Sequence, residues 1–331
     1  MQGGNMKKIL TVVLACIMAL SMALCVNAAD HDHEFVDGVC TVCGKYEESF
    51  ITRIPLKEKY TKENDQKGTL ETLTYTTPVF GQEGKTAEKV LQVYLPYGYD
   101  PEGCYNVVYL MHGGGESEYY WLNDEPVYEG TKSMGKTTKN VLDNMLAAGT
   151  IEPTIFVAPT TNLTVDGERV GDDQFAQELR EIIVPMIDLK YATYAKGDVT
   201  NENLIATRDH RAFCGFSMGS ICTIQSVMMK NLDYFAYFGS FSGAKTDIGE
   251  FKEALESFGQ ETYPVKYWYN GNGTSDIAHD EHDEFAHAAL EQMPDWFQNG
   301  KNFCWIDFKG GSHAYNCWIV DLYNSMLVFF K

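Results

Sequence analysis

His210-Arg211-Ala212-Phe213-Cys214-Gly215-Phe216-Ser217-Met218-Gly219 is the stretch on which the reading of this chain turns. Arg211 to Cys214 opens with a short apolar run of the kind that suits a strand buried on both faces. Ile221 to Met229 behind it carries the apolar spacing of a helix. The residues between fit G-x-S-x-G. A serine on a sharp strand-to-helix turn needs small neighbours two residues before and two after it, because the strained backbone there leaves no room for side chains. The pattern alone is modest evidence, so its surroundings must decide.

Outward from this turn, the chain repeats one theme. Thr69 to Thr77 and Lys89 to Leu95 are β-branched and alternating, with Gly81 and Gly84 as turn signals between them. Asn106 to Met111, Thr154 to Ala158, Tyr237 to Phe241, Val265 to Tyr269 and Asn302 to Phe308 are further short apolar runs. Phe175, Leu179, Ile182, Ile183 and Met186 lie on one face of a 3.6-residue period, and Asn140 to Ala148 has similar spacing. Strands alternating with helices predict an α/β fold with a mainly parallel sheet and helices on both faces.

Three glycine-rich stretches fall where chemistry needs them. His112-Gly113-Gly114-Gly115 follows directly on the strand Asn106 to Met111. A backbone N–H of that loop, taken at Gly114, is expected to join that of Met218 as an oxyanion hole. Asp276 follows the strand Val265 to Tyr269 in Gly273-Thr-Ser-Asp276, and His313 follows Asn302 to Phe308 in Gly310-Gly-Ser-His313. The order Ser, Asp, His is that of α/β-hydrolases rather than of trypsin-like or subtilisin-like proteases. A serine hydroxyl becomes a useful nucleophile only when a neighbouring base takes its proton, and an acyl-enzyme divides ester hydrolysis into two easier steps. Such chemistry requires no metal or organic cofactor.

Residues from about 69 to 331 resemble the feruloyl esterase and acetylxylan esterase group of carbohydrate esterases, which are related to esterase D and the antigen 85 mycolyltransferases. The resemblance rests on Tyr109-Leu-Met-His112-Gly-Gly, Pro159-Thr-Thr-Asn162, His210 to Gly219, Gly273-Thr-Ser-Asp276 and Gly310-Gly-Ser-His313-Ala-Tyr-Asn-Cys-Trp318. It implies Ser217 as nucleophile, His313 as general base and then acid, and Asp276 as the residue that orients the imidazole. Ser220 stands where many relatives have a third glycine, and Ser312 interrupts a common Gly-Gly-His, which bears on pocket shape. The activity implied is hydrolysis of ester decorations on plant hemicellulose, with release of ferulate or a related hydroxycinnamate. Deacetylation of xylan or short-acyl esterase activity is the alternative, and an inactive carbohydrate-binding relative is the alternative of another class.

Other residues admit two readings. Tyr119, Tyr120, Trp121 and Tyr128 follow the glycine loop, so Tyr120 and Trp121 either line a substrate pocket or pack a long loop. Trp318 reads as core, with a pocket role left open by its nearness to His313. His112 reads as a buttress of the loop, not a reacting group. His279, His282, Asp283 and His287 would share a helix face, better read as a solvated acidic surface than as a metal site.

The 331 residues are 44% hydrophobic and 13% aromatic, enough for a full core, which excludes disordered and collagen-like classes. The formal net charge is −20, and the first 29 residues contribute two lysines and no acid. A field of that sign disfavours nucleic acid and anionic lipid and is neutral toward an uncharged polysaccharide, the partner expected here.

Lys7 and Lys8, the apolar run Ile9 to Val26 and the small residues around Ala28 read as a secretory signal peptide over residues 1–29, giving a secreted protein with no membrane attachment after cleavage. A leader and linker would occupy 30–60 and a single esterase domain 61–331. Removal of the signal leaves seven cysteines, an odd number. Cys214 and Cys222 read as small buried hydrophobes, and Cys304 with Cys317 as the disulfide to test first. Cys40 and Cys43, with His31 and His33 nearby, are either half of a zinc site or a reducible disulfide or free thiols.

Overall fold

The computed structural model describes residues 35–36, 39–40, 54–127, 132–170 and 174–331. The chain divides into two compact units, Met1–Ile51 and Thr52–Lys331. Within the first, β1 (Phe35–Val36) and β2 (Val39–Cys40) pair antiparallel. The signal-peptide, Cys43 and Tyr128 readings, and the zinc reading of the leader, fall outside the described residues.

The second unit is built on an eight-stranded sheet from β3 (Thr69–Pro78), β4 (Thr86–Leu95), β5 (Asn106–Met111), β6 (Thr154–Ala158), β9 (Arg211–Phe216), β10 (Tyr237–Phe241), β11 (Tyr267–Gly273) and β12 (Phe303–Phe308). A separate hairpin joins β7 (Thr164–Val165) and β8 (Glu168–Arg169). The order across the sheet is β12-β11-β10-β9-β5-β6-β4-β3. The six strands from β12 to β6 run parallel, and β4 and β3 are added antiparallel at one edge. Every residue of β5, β6, β9 and β10 is buried, as continuous apolar strands covered by helices require. From Thr72 onward edge strand β3 instead alternates exposed positions with covered ones, Tyr75 and Thr77 being buried. β5 has β6 on one side and β9 on the other, so the chain reverses its direction of travel there, and a crevice opens beyond the carboxyl ends of these strands.

Three features of the core depart from the sequence reading. β11 runs from Tyr267 to Gly273, through Gly271-Asn272-Gly273 that reads locally as a turn. The glycines are there for space: a Cβ on Gly271 would fall 2.3 Å from Asp321 Oδ1, and one on Gly273 would fall 2.3 Å from Gly311 O. The helix after the G-x-S-x-G turn is α-helical over Met218–Cys222 and then widens into a π-turn over Thr223–Met228. Cys304 and Cys317 are both buried and are not joined in a disulfide. Spacing in sequence says nothing about Cβ geometry. Here Cys304 sits by Tyr267, in the neighbouring strand, and Cys317 by Asn316.

Two ion pairs are sealed in this core. Arg211, at the start of β9, meets Asp188 at 2.8 Å, and Lys89 on β4 meets Glu178 at 2.8 Å with both side chains 4% exposed. Each pair is completed by hydrogen bonds: Arg211 also donates to Leu204 O, Lys89 to Thr160 O, and Tyr75 donates to Glu178. Full satisfaction matters, because one partner left alone in the interior carries the desolvation cost without the compensating attraction. Lys89→Met should therefore lower stability by about 3–5 kcal/mol in urea unfolding, and adding Glu178→Leu should recover most of the loss. A single variant within about 1 kcal/mol of wild type would mean that water reaches Glu178.

Candidate active site

The turn after β9 has the geometry its residues foretell. Ser217 adopts φ 54°, ψ −121°, a backbone that non-glycine residues rarely enter. Its N–H donates to Phe241 O at 2.8 Å, and its C=O accepts from Ser220 and Ile221. A Cβ on Gly215 would meet Gly219 O at 2.3 Å, and one on Gly219 would meet His112 O at 2.5 Å. Both glycines are thus forced by backbone packed on backbone. Ser220 fits without a third glycine because its hydroxyl turns inward and donates to Gly243 O. Ser312 is exposed and leaves the crevice wall alone.

The loops after β11 and β12 reach Ser217 across the end of β10. His313 Nε2 lies 3.0 Å from Ser217 Oγ, and His313 Nδ1 lies 2.8 Å from Asp276 Oδ1. The loops carrying the histidine and the carboxylate are tied together: Thr274 N–H donates to Phe308 O, and Ser275 N–H to Gly311 O. Burial raises the Asp276 pKa, but the bond from His313 and that from the Ala278 N–H outweigh it and hold the carboxyl below its ordinary value. The group is therefore anionic at neutral pH and fixes the proton of the imidazole on Nδ1, leaving Nε2 to accept from the serine hydroxyl.

The glycine loop is held from behind. His112 Nδ1 lies 2.8 Å from Gly113 O, an oxygen that only accepts, so the proton sits on Nδ1; Nε2 then accepts from the Thr160 hydroxyl at 2.7 Å. Thr160 O in turn receives the Lys89 ammonium. In a trans peptide the C=O and the following N–H point opposite ways, so pinning Gly113 O aims the Gly114 N–H away from the histidine. Gly114 lies beside Met218, whose side chain a Cβ on Gly114 would touch at 3.0 Å, and Met218 N–H belongs to the open first turn of its helix. A cavity of about 370 Å³ adjoins them, its wall including Gly114, Thr161, Asn162, Met218, Ile221 and Gln225.

Tyr120 and Trp121 are not on that wall. Both are buried, and the Trp121 indole donates to Met111 O while its ring packs on Phe216 and Tyr315. They hold the loop from beneath, so a pocket role for Trp121 and Tyr120 gives way to packing. Trp318 is core as expected, stacked on Phe216 at 4.0 Å and edge-on to His313 at 5.1 Å.

The histidine group on the helix His279–Gln292 also divides differently. Among the described residues, no cluster of three or more His, Cys, Asp or Glu is arranged to hold a metal. His279 reaches Asp307, and His287 reaches Asp283, near the surface. His282 faces inward and is completely buried, accepting from the Gly243 N–H at Nδ1 with Nε2 3.1 Å from Asn270 Oδ1. The signal was present: His282, Phe285, Ala286 and Ala289 fall at i, i+3, i+4 and i+7 and form the buried stripe of this helix.

Comparison with known proteins supplies a family and a fold. The Esterase family model matches residues 86–322. Endo-1,4-beta-xylanase Y of Acetivibrio thermocellus is 39% identical over 199 residues, and an endo-1,4-beta-xylanase/feruloyl esterase of Xylanibacter ruminicola is 30% identical over 204. Those alignments cover 60% and 59% of this chain but only 16% and 24% of the relatives' lengths. A serine-to-alanine variant of the feruloyl esterase module from Clostridium thermocellum, complexed with sinapinate, superposes with a TM-score of 0.72 at 32% identity, covering 87% of this chain and 96% of that one. A ferulic acid esterase from Anaeromyces mucronatus in complex with ferulic acid gives a TM-score of 0.63 at 23% identity, covering 83% and 96%, and shares the fold.

Burial pushes the His282 pKa down to about 3, against the pull of Asp276. The unfolded chain binds that proton near the ordinary value of about 6.5, so the contribution to stability is complete above that pH and is lost as pH falls toward about 3. Urea unfolding from about pH 7 to about pH 4 should show a loss of a few kcal/mol assignable to this group, and His282→Gln should flatten that part of the profile. An unchanged slope in the variant would mean that His282 accepts a proton in the folded state.

Proposed function

Because the chain belongs to the Esterase family, we propose that it is a serine esterase that removes ester decorations from plant hemicellulose, releasing ferulate or a related hydroxycinnamate. The observation that carries this reading is the chain Ser217 Oγ, His313 Nε2, His313 Nδ1, Asp276 Oδ1 at 3.0 and 2.8 Å on a strained turn beside a cavity. In it, His313 takes the proton of Ser217 as the hydroxyl attacks the ester carbonyl, and the N–H groups of Gly114 and Met218 receive the developing oxyanion. The protonated imidazole, paired with Asp276, then gives its proton to the leaving sugar hydroxyl. Water repeats the sequence on the acyl-enzyme, with His313 again as base.

The acyl group would occupy the cavity bordered by Met218, Ile221 and Gln225. Its volume falls in the range that holds small organic ligands, and an acetyl group would leave most of it unfilled. The likeness to a feruloyl esterase module over 96% of that module supports an aromatic acyl substrate. Exposed Met218, next to Ser217 and on the cavity wall, offers apolar surface there. Export through the N-terminal apolar segment would bring the enzyme to an insoluble polymer; among the described residues, no helix is long and apolar enough to cross a membrane.

Ser217→Ala should lower kcat on methyl ferulate by about 10⁶, and Asp276→Asn by about 10⁴, the latter because the imidazole loses its preferred tautomer. More than a tenth of the wild-type kcat in a folded Ser217→Ala protein would overturn the nucleophile. Methyl ferulate should be a better substrate than acetylated xylan by kcat/KM; the reverse order would assign the enzyme to deacetylation.

A further inference from the structure

One oxygen of the catalytic carboxylate is accounted for and the other is not. Asp276 Oδ1 accepts from both His313 Nδ1 and the Ala278 N–H, each at 2.8 Å. Oδ2 is buried and has no hydrogen-bond partner among the described residues. A buried anionic oxygen without a donor is costly, and interiors rarely leave one bare.

Ser242 bonds with the Asp276 carboxyl. It is the first residue after β10, fully buried, and its backbone is left-handed at φ 57°. Its hydroxyl is among the groups that pull the Asp276 carboxyl down. Trp318 Nε1 donates to Ser242 Oγ at 2.9 Å. An indole N–H only donates, so the serine oxygen is the acceptor in that bond and its own proton must point elsewhere. The tryptophan thereby fixes the polarity of the hydroxyl.

The backbone around Ser242 is secured on every side. Its N–H donates to Gly271 O at 2.9 Å, the Gly243 N–H to His282 Nδ1 at 3.2 Å, and Gly243 O accepts from Ser220. Glycine would occupy a left-handed site without strain. A serine kept at such a site, between Gly271 and the bonded peptide of Gly243, therefore points to a need for its hydroxyl.

We propose that Ser242 is a positioning residue of the hydrolytic site: its hydroxyl, oriented by Trp318, donates to Asp276 Oδ2 and keeps the carboxylate aimed at His313. The inference rests on the assignment of Ser217, His313 and Asp276 made above. It extends the chain of hydrogen bonds by two members, Trp318 to Ser242 to Asp276 to His313 to Ser217, with donors and acceptors alternating without conflict. Losing a hydrogen bond to a charged group is worth about tenfold or more, so the effect is measurable.

The test uses the full chain with Ser242→Gly, Ser242→Ala, Trp318→Phe and the double variant Ser242→Ala/Trp318→Phe. Stability is read by urea unfolding, turnover on methyl ferulate and on a chromogenic acetate ester, and triad reactivity by the rate at which a fluorophosphonate labels Ser217. Ser242→Gly should still fold, because the strain relieved at a left-handed backbone offsets part of what the lost hydroxyl costs. It should nevertheless lose about tenfold in kcat on both esters, with KM unchanged and labelling slowed in proportion. Trp318→Phe should cost a smaller factor in the native background and nothing further once Ser242 is alanine. A stable Ser242→Gly protein within about twofold of wild-type kcat would overturn the proposal. So would a loss confined to KM, or a Trp318→Phe effect of equal size in both backgrounds. Should the Ser242 variants fail to fold, slower labelling in folded Trp318→Phe supports the proposal and an unchanged rate overturns it. If the wild type hydrolyses the acetate ester and labels at Ser217 but ignores methyl ferulate, the substrate reading fails while this test still decides the role of Ser242. If Ser217 does not label at all, the triad assignment falls and this inference falls with it.

Discussion

Backbone crowding at Ser217 governs the architecture of the site. The turn after β9 brings Gly215 against Gly219 and Gly219 against the His112 carbonyl so closely that no Cβ fits at either glycine. That contact does two things at once. It pushes the serine into a left-handed conformation with its side chain clear of both strand and helix, and it locks the helix Met218–Cys222 onto the loop that follows β5. Ser217 and the glycine loop are thus placed by the same packing event, which is why strain can persist here: the surrounding structure over-determines it.

Parallel strands turn this local event into a site. β9 lies between β5 and β10, and β10 is followed in the sheet by β11 and β12, all running in one direction. Their carboxyl ends therefore rise at one edge, and each delivers one element: the glycine loop, Ser217, Ser242, Asp276 and His313. No long excursion is needed to assemble them. Gly273 packed on Gly311 pulls the last two loops together, so that Asp276 and His313 share a support.

Much of this was legible from residue pattern, and the departures have physical causes. Short apolar runs marked β5, β6, β9 and β10 because strands buried on both faces leave no polar alternation to misread. β11 extended further than expected because Gly271 and Gly273 serve close packing, while local sequence reads glycine as a turn. His282 was grouped with its charged neighbours because composition reports the exposed majority of that helix, whereas burial is decided by phase. Trp121 looked like a pocket residue because proximity in sequence to the glycine loop does not reveal on which side of it the ring lies. The Cys304 and Cys317 pairing failed for a similar reason, since bond geometry is a three-dimensional property.

Two buried polar systems flank the reacting groups, and their positions explain why an interior would tolerate them. On one side Glu178, Lys89, Thr160 and His112 run as a hydrogen-bonded chain to the Gly113 carbonyl. On the other, Asn270 and His282 hold Gly243, beside Ser242 and the carboxylate loop. A hydrophobic replacement of either set would relieve desolvation and often leaves stability unchanged or improved. What apolar packing cannot supply is direction: van der Waals contact fills space without distinguishing which face of a peptide turns toward the crevice. Hydrogen bonds do distinguish it, because a carbonyl pinned on one side commits the neighbouring N–H to the other. Polar residues are therefore found in this core where a backbone group must point one way for chemistry to occur.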